Sequence, residues 1–181
     1  MIISLCVLIG AVPLIQHGYQ QYFSAHYPLR YQTYVSKAAQ EFDVEPSLIY
    51  AIIHTESNFD EKATSPAQAK GLMQLTDDTL EWALRRADEA GRYTSDDLYN
   101  PSINIRYGVY VRSLLREQFD HDDTVLAAYN AGQGRVHEWL GNSAYSSDGI
   151  TLHTIPFPET TTYIRRVNAA RAHYQQLYHL N

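Results

Sequence analysis

The chain has one cysteine in 181 residues, Cys6, which excludes an internal disulfide framework and any cysteine-built metal cage. Leu5 precedes it where a lipid-modified bacterial cysteine would follow a small residue, so Cys6 reads as a small apolar side chain inside an apolar run. Basic charge is scarce too: 14 Lys and Arg stand against 20 Asp and Glu, a net charge of −6. The densest basic features are the pairs Arg85-Arg86 and Arg165-Arg166, both inside helical patterns, so the basic patch that a nucleic-acid partner requires is missing. Eight histidines are present, but no HExxH occurs, and His54, His121, His137 and His153 lack ligand spacing. No metal and no cofactor is expected. The Gly-Gln-Gly at Gly132–Gly134 follows no strand and carries no Lys-Ser/Thr, so it reads as a turn and not as a phosphate loop. Internal repeats and low-complexity tracts are absent.

Long apolar runs are limited to one. Ile2 to Ile15 is free of charge and broken only by Ser4, Gly10 and Pro13. It has the length of a signal core and falls short of the roughly 20 residues that span a bilayer comfortably. No Lys or Arg precedes it and no small-x-small cleavage site follows, so an uncleaved anchor is preferred to a cleaved signal. Residues 1–16 are read as a signal or membrane-anchor segment and 17–30 as a linker. The body is then exported and held at the outer face of a membrane.

From Tyr31 onward the apolar spacing is helical almost throughout, defining one mostly α domain over 31–178. Tyr31, Tyr34, Ala38 and Phe42 fall on one face. Helices are expected from Pro46, over Asp77 to Ala90, from Pro101, from Asp122 to Gly132, over Val136 to Leu140, and from about Glu159, where Tyr163, Val167, Ala170, Tyr174 and Tyr178 keep register. Residues 142–158 read as a loop with a short extended piece near Ile150–Leu152.

Glu56 is the informative acid. It lies three, four and seven residues after Ile53, Ile52 and Ile49, so it continues the buried stripe of its helix. A carboxyl there loses solvation, which raises its pKa and suits a proton donor near neutral pH. The competing reading is a carboxylate that caps the helix or pairs with an arginine. Tyrosine is abundant, at 15 against 5 Phe and 2 Trp, and its flat face with a hydroxyl suits a sugar groove as well as a core.

Five segments in one order sharpen this: AIIHTESNF (Ala51–Phe59), ATSPAQAKGLMQL (Ala63–Leu75), YNPSINIRYG (Tyr99–Gly108), AAYNAGQGRV (Ala127–Val136) and IPFPETTTYIRRV (Ile155–Val167). Together they resemble the soluble lytic transglycosylase family, whose domain is similar to goose-type lysozyme, over about Tyr31 to Tyr174. The resemblance implies a lysozyme-like helical fold that cleaves the MurNAc-β-1,4-GlcNAc bond of peptidoglycan and leaves 1,6-anhydro ends. It implies Glu56 as the catalytic acid and then base. It also implies Ser65, Met73 and Gln74 in the groove, Tyr129 and Asn130 beside the carboxyl and the substrate, and Glu159 and Tyr163 closing the site. The sequence departs from the family pattern at Gln68, where Gly is usual, at Thr76-Asp77 in place of Met-Pro, and at Thr161 in place of Arg.

The expected partner is therefore the glycan strand of peptidoglycan, with the membrane reached through the N-terminal segment. Ordinary glycosidases need a second carboxylate. Asp60 and Glu61 lie in a polar loop, and Asp77, Asp78 and Glu159 lie at helix starts, so no second acid stands out. Two alternatives stay open: a muramidase that admits water, and a non-catalytic peptidoglycan-binding or scaffolding module.

Overall fold

In a computed structural model that describes Gly18 and residues 21–180, the chain is helical and, among those residues, contains no strand. The segment read as an anchor lies outside the described residues. No helix among the described residues is long and apolar enough to cross a membrane.

Among the described residues from Gln32 onward, seven α-helices follow one another: α1 (Gln32–Phe42), α2 (Pro46–Ser57), α3 (Asp77–Arg86), α4 (Pro101–Arg116), α5 (Asp122–Ala131), α6 (Gln133–Leu140) and α7 (Pro158–Tyr178). A 3-10 turn at Ser95–Tyr99 precedes α4. The axis of the fold is α2. Pro46 supplies the pre-set φ of a first helical position, and Ser47 through Ile53 are all buried, so this helix is surrounded instead of presenting one stripe. Along α2 packs α7, whose buried Tyr163, Ile164, Val167, Ala170 and Tyr174 follow the 3.6-residue period. On another side α1 packs against α4.

Local chemistry sets the boundaries. The Thr76 side chain caps α3 by accepting from Thr79 N at 3.2 Å, with Asp77 and Asp78 at the positive end of the dipole and Arg85 and Arg86 at the negative end. Asn100 caps α4 by accepting from Ser102 N at 3.0 Å. Gly132, at φ 93°, turns the chain sharply from α5 into α6.

Several expected features shift. The helix expected to reach Ala90 stops at Arg86, because Asp88 adopts a left-handed φ of 56°. The α1 face is carried by Val35, Ala38 and Ala39, and Tyr34 is 42% exposed, since Tyr31 sits in a left-handed turn ahead of the helix and does not start its stripe. Near Ile150–Leu152 there is no extended piece; Asp148 Oδ1 accepts from Ile150 N at 2.8 Å and Thr151 N at 2.7 Å and folds the segment into a turn. Residues 21–26, read as linker, are helical. Tyr27 after them stacks on His54, with ring centroids 4.8 Å apart.

Candidate active site

The last turn of α2 carries Glu56. After Ser57 the chain reverses through two consecutive left-handed residues, Asn58 and Phe59, at φ 49° and 64°. Phe59 then plugs the core at 1% exposure. That reversal brings residues 63–75 back across the end of α2. Ser57 pins them there, its hydroxyl donating to Leu72 O at 2.9 Å and to Ile53 O of its own helix at 3.2 Å.

The returning segment is held from below by Asn104, a fully buried side chain of α4. Its Oδ1 accepts from Met73 N at 2.7 Å, and its Nδ2 donates to Lys70 O and Leu98 O, each at 2.9 Å. Gly71, at φ 73°, passes so close that a Cβ there would lie 2.2 Å from Leu98 O and 2.4 Å from Asn104 Nδ2. Only glycine fits that approach.

Above this support lies an open groove of about 450 Å³. Glu56 lines it with Ser65, Gln74, Tyr129 and Asn130. Ser65 Oγ accepts from Ala69 N at 3.1 Å and closes the turn that contains Gln68. Gln68 has φ 61°, the left-handed backbone for which glycine is the easy choice, so the departure from glycine places strain in this loop. Gln74 Nε2 donates to Gly71 O at 2.9 Å and Ala63 O at 3.3 Å, which fixes the amide in the groove wall. The Tyr129 hydroxyl donates to Met73 O at 3.0 Å. Asn130 is oriented by Thr160, whose buried hydroxyl donates to Asn130 Oδ1 at 2.8 Å.

Burial pushes the Glu56 carboxyl up to about 7; the Tyr163 hydroxyl and the positive charge of Arg166 pull in the other direction and leave it in the neutral range. Tyr163 Oη is buried beside the carboxyl and completes no hydrogen bond of ordinary geometry. Burial, and next the Glu56 charge, push Tyr129 and Tyr163 well above the usual tyrosine range, so both hydroxyls stay protonated donors.

The structure thus brings Glu56, Ser65, Gln74, Tyr129, Asn130 and Tyr163 together. It does not bring Met73 to the groove: that side chain is fully buried against Gly108, whose Cβ position would lie 2.5 Å from its Sδ, and only its carbonyl reaches the site by way of Tyr129. Glu159 is exposed in the first turn of α7 and does not line the groove. Asp60 is occupied in a turn, accepting from Lys62 N at 2.9 Å, and Glu61 accepts from the Tyr31 hydroxyl at 2.9 Å. Glu56 is therefore the one carboxylate among the described residues of the groove. Also among the described residues, no group of three His, Cys, Asp or Glu side chains is placed to hold a metal ion. Ser57, Asn104 and Thr160 escaped the sequence reading. Asn104 sits directly between Ile103 and Ile105, the one signal that could have marked it.

A helical body with one half-buried, neutral-range carboxyl at the edge of an open groove is a lysozyme-like domain. The chain belongs to the transglycosylase SLT domain family, whose family model matches residues 33–150. It is 34% identical over 151 residues to the soluble lytic murein transglycosylase of Escherichia coli K12, covering 82% of this chain and 23% of that protein. It is 31% identical to the membrane-bound lytic murein transglycosylase C of Actinobacillus pleuropneumoniae, covering 80% of this chain and 46% of that one. The crystal structure of the 70 kDa soluble lytic transglycosylase of Escherichia coli superposes with a TM-score of 0.74 at 31% identity, over 85% of this chain and 25% of that chain. An inactive mutant of the lytic transglycosylase Slt of Pseudomonas aeruginosa gives 0.70 at 30% identity, over 83% of this chain and 25% of that chain. The chain spans about a quarter of the length of the soluble relatives.

Proposed function

We propose that this domain is a peptidoglycan lytic transglycosylase, cleaving the MurNAc-β-1,4-GlcNAc bond with Glu56 as acid and then base. The observation that carries the reading is the solitary Glu56 carboxyl, raised by burial to about 7 in a groove where no second carboxylate faces it. An inverting or retaining hydrolase needs two carboxyls, roughly 5–10 Å apart. One carboxyl suffices when the substrate supplies its own nucleophile.

In this mechanism protonated Glu56 donates to the glycosidic oxygen as the C1–O bond breaks, and the positive charge at C1 is relieved by substrate groups such as the 2-acetamido oxygen. Glu56, now a carboxylate, takes the proton of the muramic C6 hydroxyl as that oxygen bonds to C1 and closes the 1,6-anhydro ring. No water is consumed, and the carboxyl ends as it began. Tyr163 and Tyr129 keep the carboxyl in a largely desolvated pocket and steady its charge between the two steps. Ser65, Gln74 and Asn130 offer fixed polar groups to the sugar.

The same reading puts the domain outside the cytoplasm against the cell wall, with residues 1–16 as the membrane tie. The charge-free run from Ile2 to Ile15 supports it.

The test is to incubate the chain and its Glu56→Gln variant with purified peptidoglycan and identify the products by mass spectrometry. Muropeptides ending in 1,6-anhydro-muramic acid are expected from the first, with the rate reduced about 10²–10⁴-fold or more in the variant. Reducing-end products, heavier by one water, would replace this reading with a hydrolase. Binding without cleavage by the unaltered chain would replace it with a scaffold.

A further inference from the structure

A cavity larger than the Glu56 groove opens between α1, α4 and the turn that follows α3. It measures about 960 Å³, within the roughly 300–1,000 Å³ of ligand cavities, and shares no lining residue with the groove. Its floor is a fixed ionic network. Arg106 donates from Nε to Glu41 Oε1 at 2.9 Å and from Nη1 to Glu89 Oε2 at 3.1 Å. The buried Tyr107 hydroxyl donates to the same Glu89 oxygen, and Arg92 pairs with the other oxygen. Arg106 lies over the Tyr107 ring and Arg92 over the Tyr93 ring, each 5.3 Å from the centroid. The Tyr107 hydrogen bond above all holds the Glu89 carboxyl below its ordinary range, so it stays charged.

A brace between α1, α4 and the turn would need those pairs and nothing more. The rim goes beyond them. Tyr34 turns 42% of its surface to solvent. Lys37 stands three residues further along α1, on the same face, exposed and, among the described residues, without a partner. Three cations and two carboxylates line the cavity, one positive charge in excess on a chain whose net charge is −6.

This combination selects a ligand class. Tyr34, Tyr93 and Ile103 offer walls to short aliphatic side chains, and the Lys37 ammonium takes a carboxylate. A bare glycan would leave the unpaired charge unused. We propose that this cleft is a second binding site, for the short carboxylate-bearing peptide stems of peptidoglycan. The inference rests on the peptidoglycan reading above and adds to it a contact remote from the reacting bond. One face of the domain would then hold a strand by its sugars while another holds a stem by its peptide.

The test uses the full chain carrying Glu56→Gln, so that nothing is cleaved, with two probes: the free stem tetrapeptide and a peptide-free glycan oligosaccharide. Amide chemical shifts report where each one binds. The tetrapeptide should move resonances around Tyr34, Lys37 and Tyr93 and leave the Glu56 groove still. Its affinity should fall roughly fivefold or more in Lys37→Glu and in Tyr34→Ala, two exposed substitutions that leave the fold intact, and should weaken with salt. The glycan should bind at the groove with unchanged affinity in both variants. No shift at the cleft at roughly millimolar tetrapeptide, or shifts at the groove alone, would overturn the inference. If that happens while the unaltered chain still yields anhydro ends, the proposed activity stands and only the second site falls. Tetrapeptide in the cleft with no cleavage by the unaltered chain would sustain the site and remove the activity.

Discussion

Glu56 holds its proton at a cost to the fold. A carboxyl that titrates near 7 in the native state and near 4.5 in the open chain binds more protons when folded throughout that interval. Stability therefore falls as pH rises from about 4.5 to 7 and stays reduced above that, by on the order of 3 kcal/mol for about 2.5 pH units. Glutamine in its place is neutral at every pH. Glu56→Gln is expected to unfold at higher urea than the unaltered chain at pH 8, with the two curves converging near pH 4; equal stability at both pH values would mean the carboxyl is ordinary. The sequence made this residue legible because three isoleucines precede it at helical spacing. The motif resemblance already put Tyr163 at the site; what helical spacing alone could not disclose is its approach to Glu56, since that contact joins side chains over a hundred residues apart. Met73 was misplaced for a related reason: its neighbours in the chain line a groove, but Gly108 on α4 leaves a hole that its side chain fills.

At the level of elements, the site is a loop stretched between two helices, α2 gripping it through Ser57 and α4 through Asn104. Removing the Asn104 amide leaves the Met73 N–H and the Leu98 carbonyl without partners, while Lys70 O keeps only the Leu75 N–H at 3.1 Å. Asn104→Ala is expected to lose about 2–4 kcal/mol in urea denaturation and to lower kcat as Gln74 and the Met73 carbonyl drift; a loss below about 1 kcal/mol would show that the loop holds itself. Helices were readable because their caps and periods are local: Pro46, Pro101 and the Asp77-Asp78 pair each announce a start. The loop was not, for its shape comes from a carboxamide reaching back from thirty residues away and from left-handed turns at Gln68 and Gln74 that no propensity favours.

For the molecule as a whole, α2 and α7 form a spine, and the chain ahead of α1 is strapped to it. The Tyr178 hydroxyl donates to Tyr27 O at 2.8 Å and the Tyr174 hydroxyl to Pro28 O at 3.3 Å, while the Tyr27 ring stacks on His54 and lies 4.7 Å from His173. A composition of polar and aromatic residues read as linker could not disclose this, because the partners sit at the far end of the sequence. Tyr27→Ala is expected to cost about 1–3 kcal/mol of whole-domain stability by thermal unfolding, whereas a free tether would leave the melting temperature unchanged. The strap also fixes how the molecule takes a load. Tension applied to the chain ahead of residue 21 is passed through Tyr27 and Pro28 into α2 and α7, the two helices that carry Glu56 and Tyr163. A pull on the leading end is thus felt first by the helices that hold the reactive carboxyl, and only afterwards by the loops around the groove.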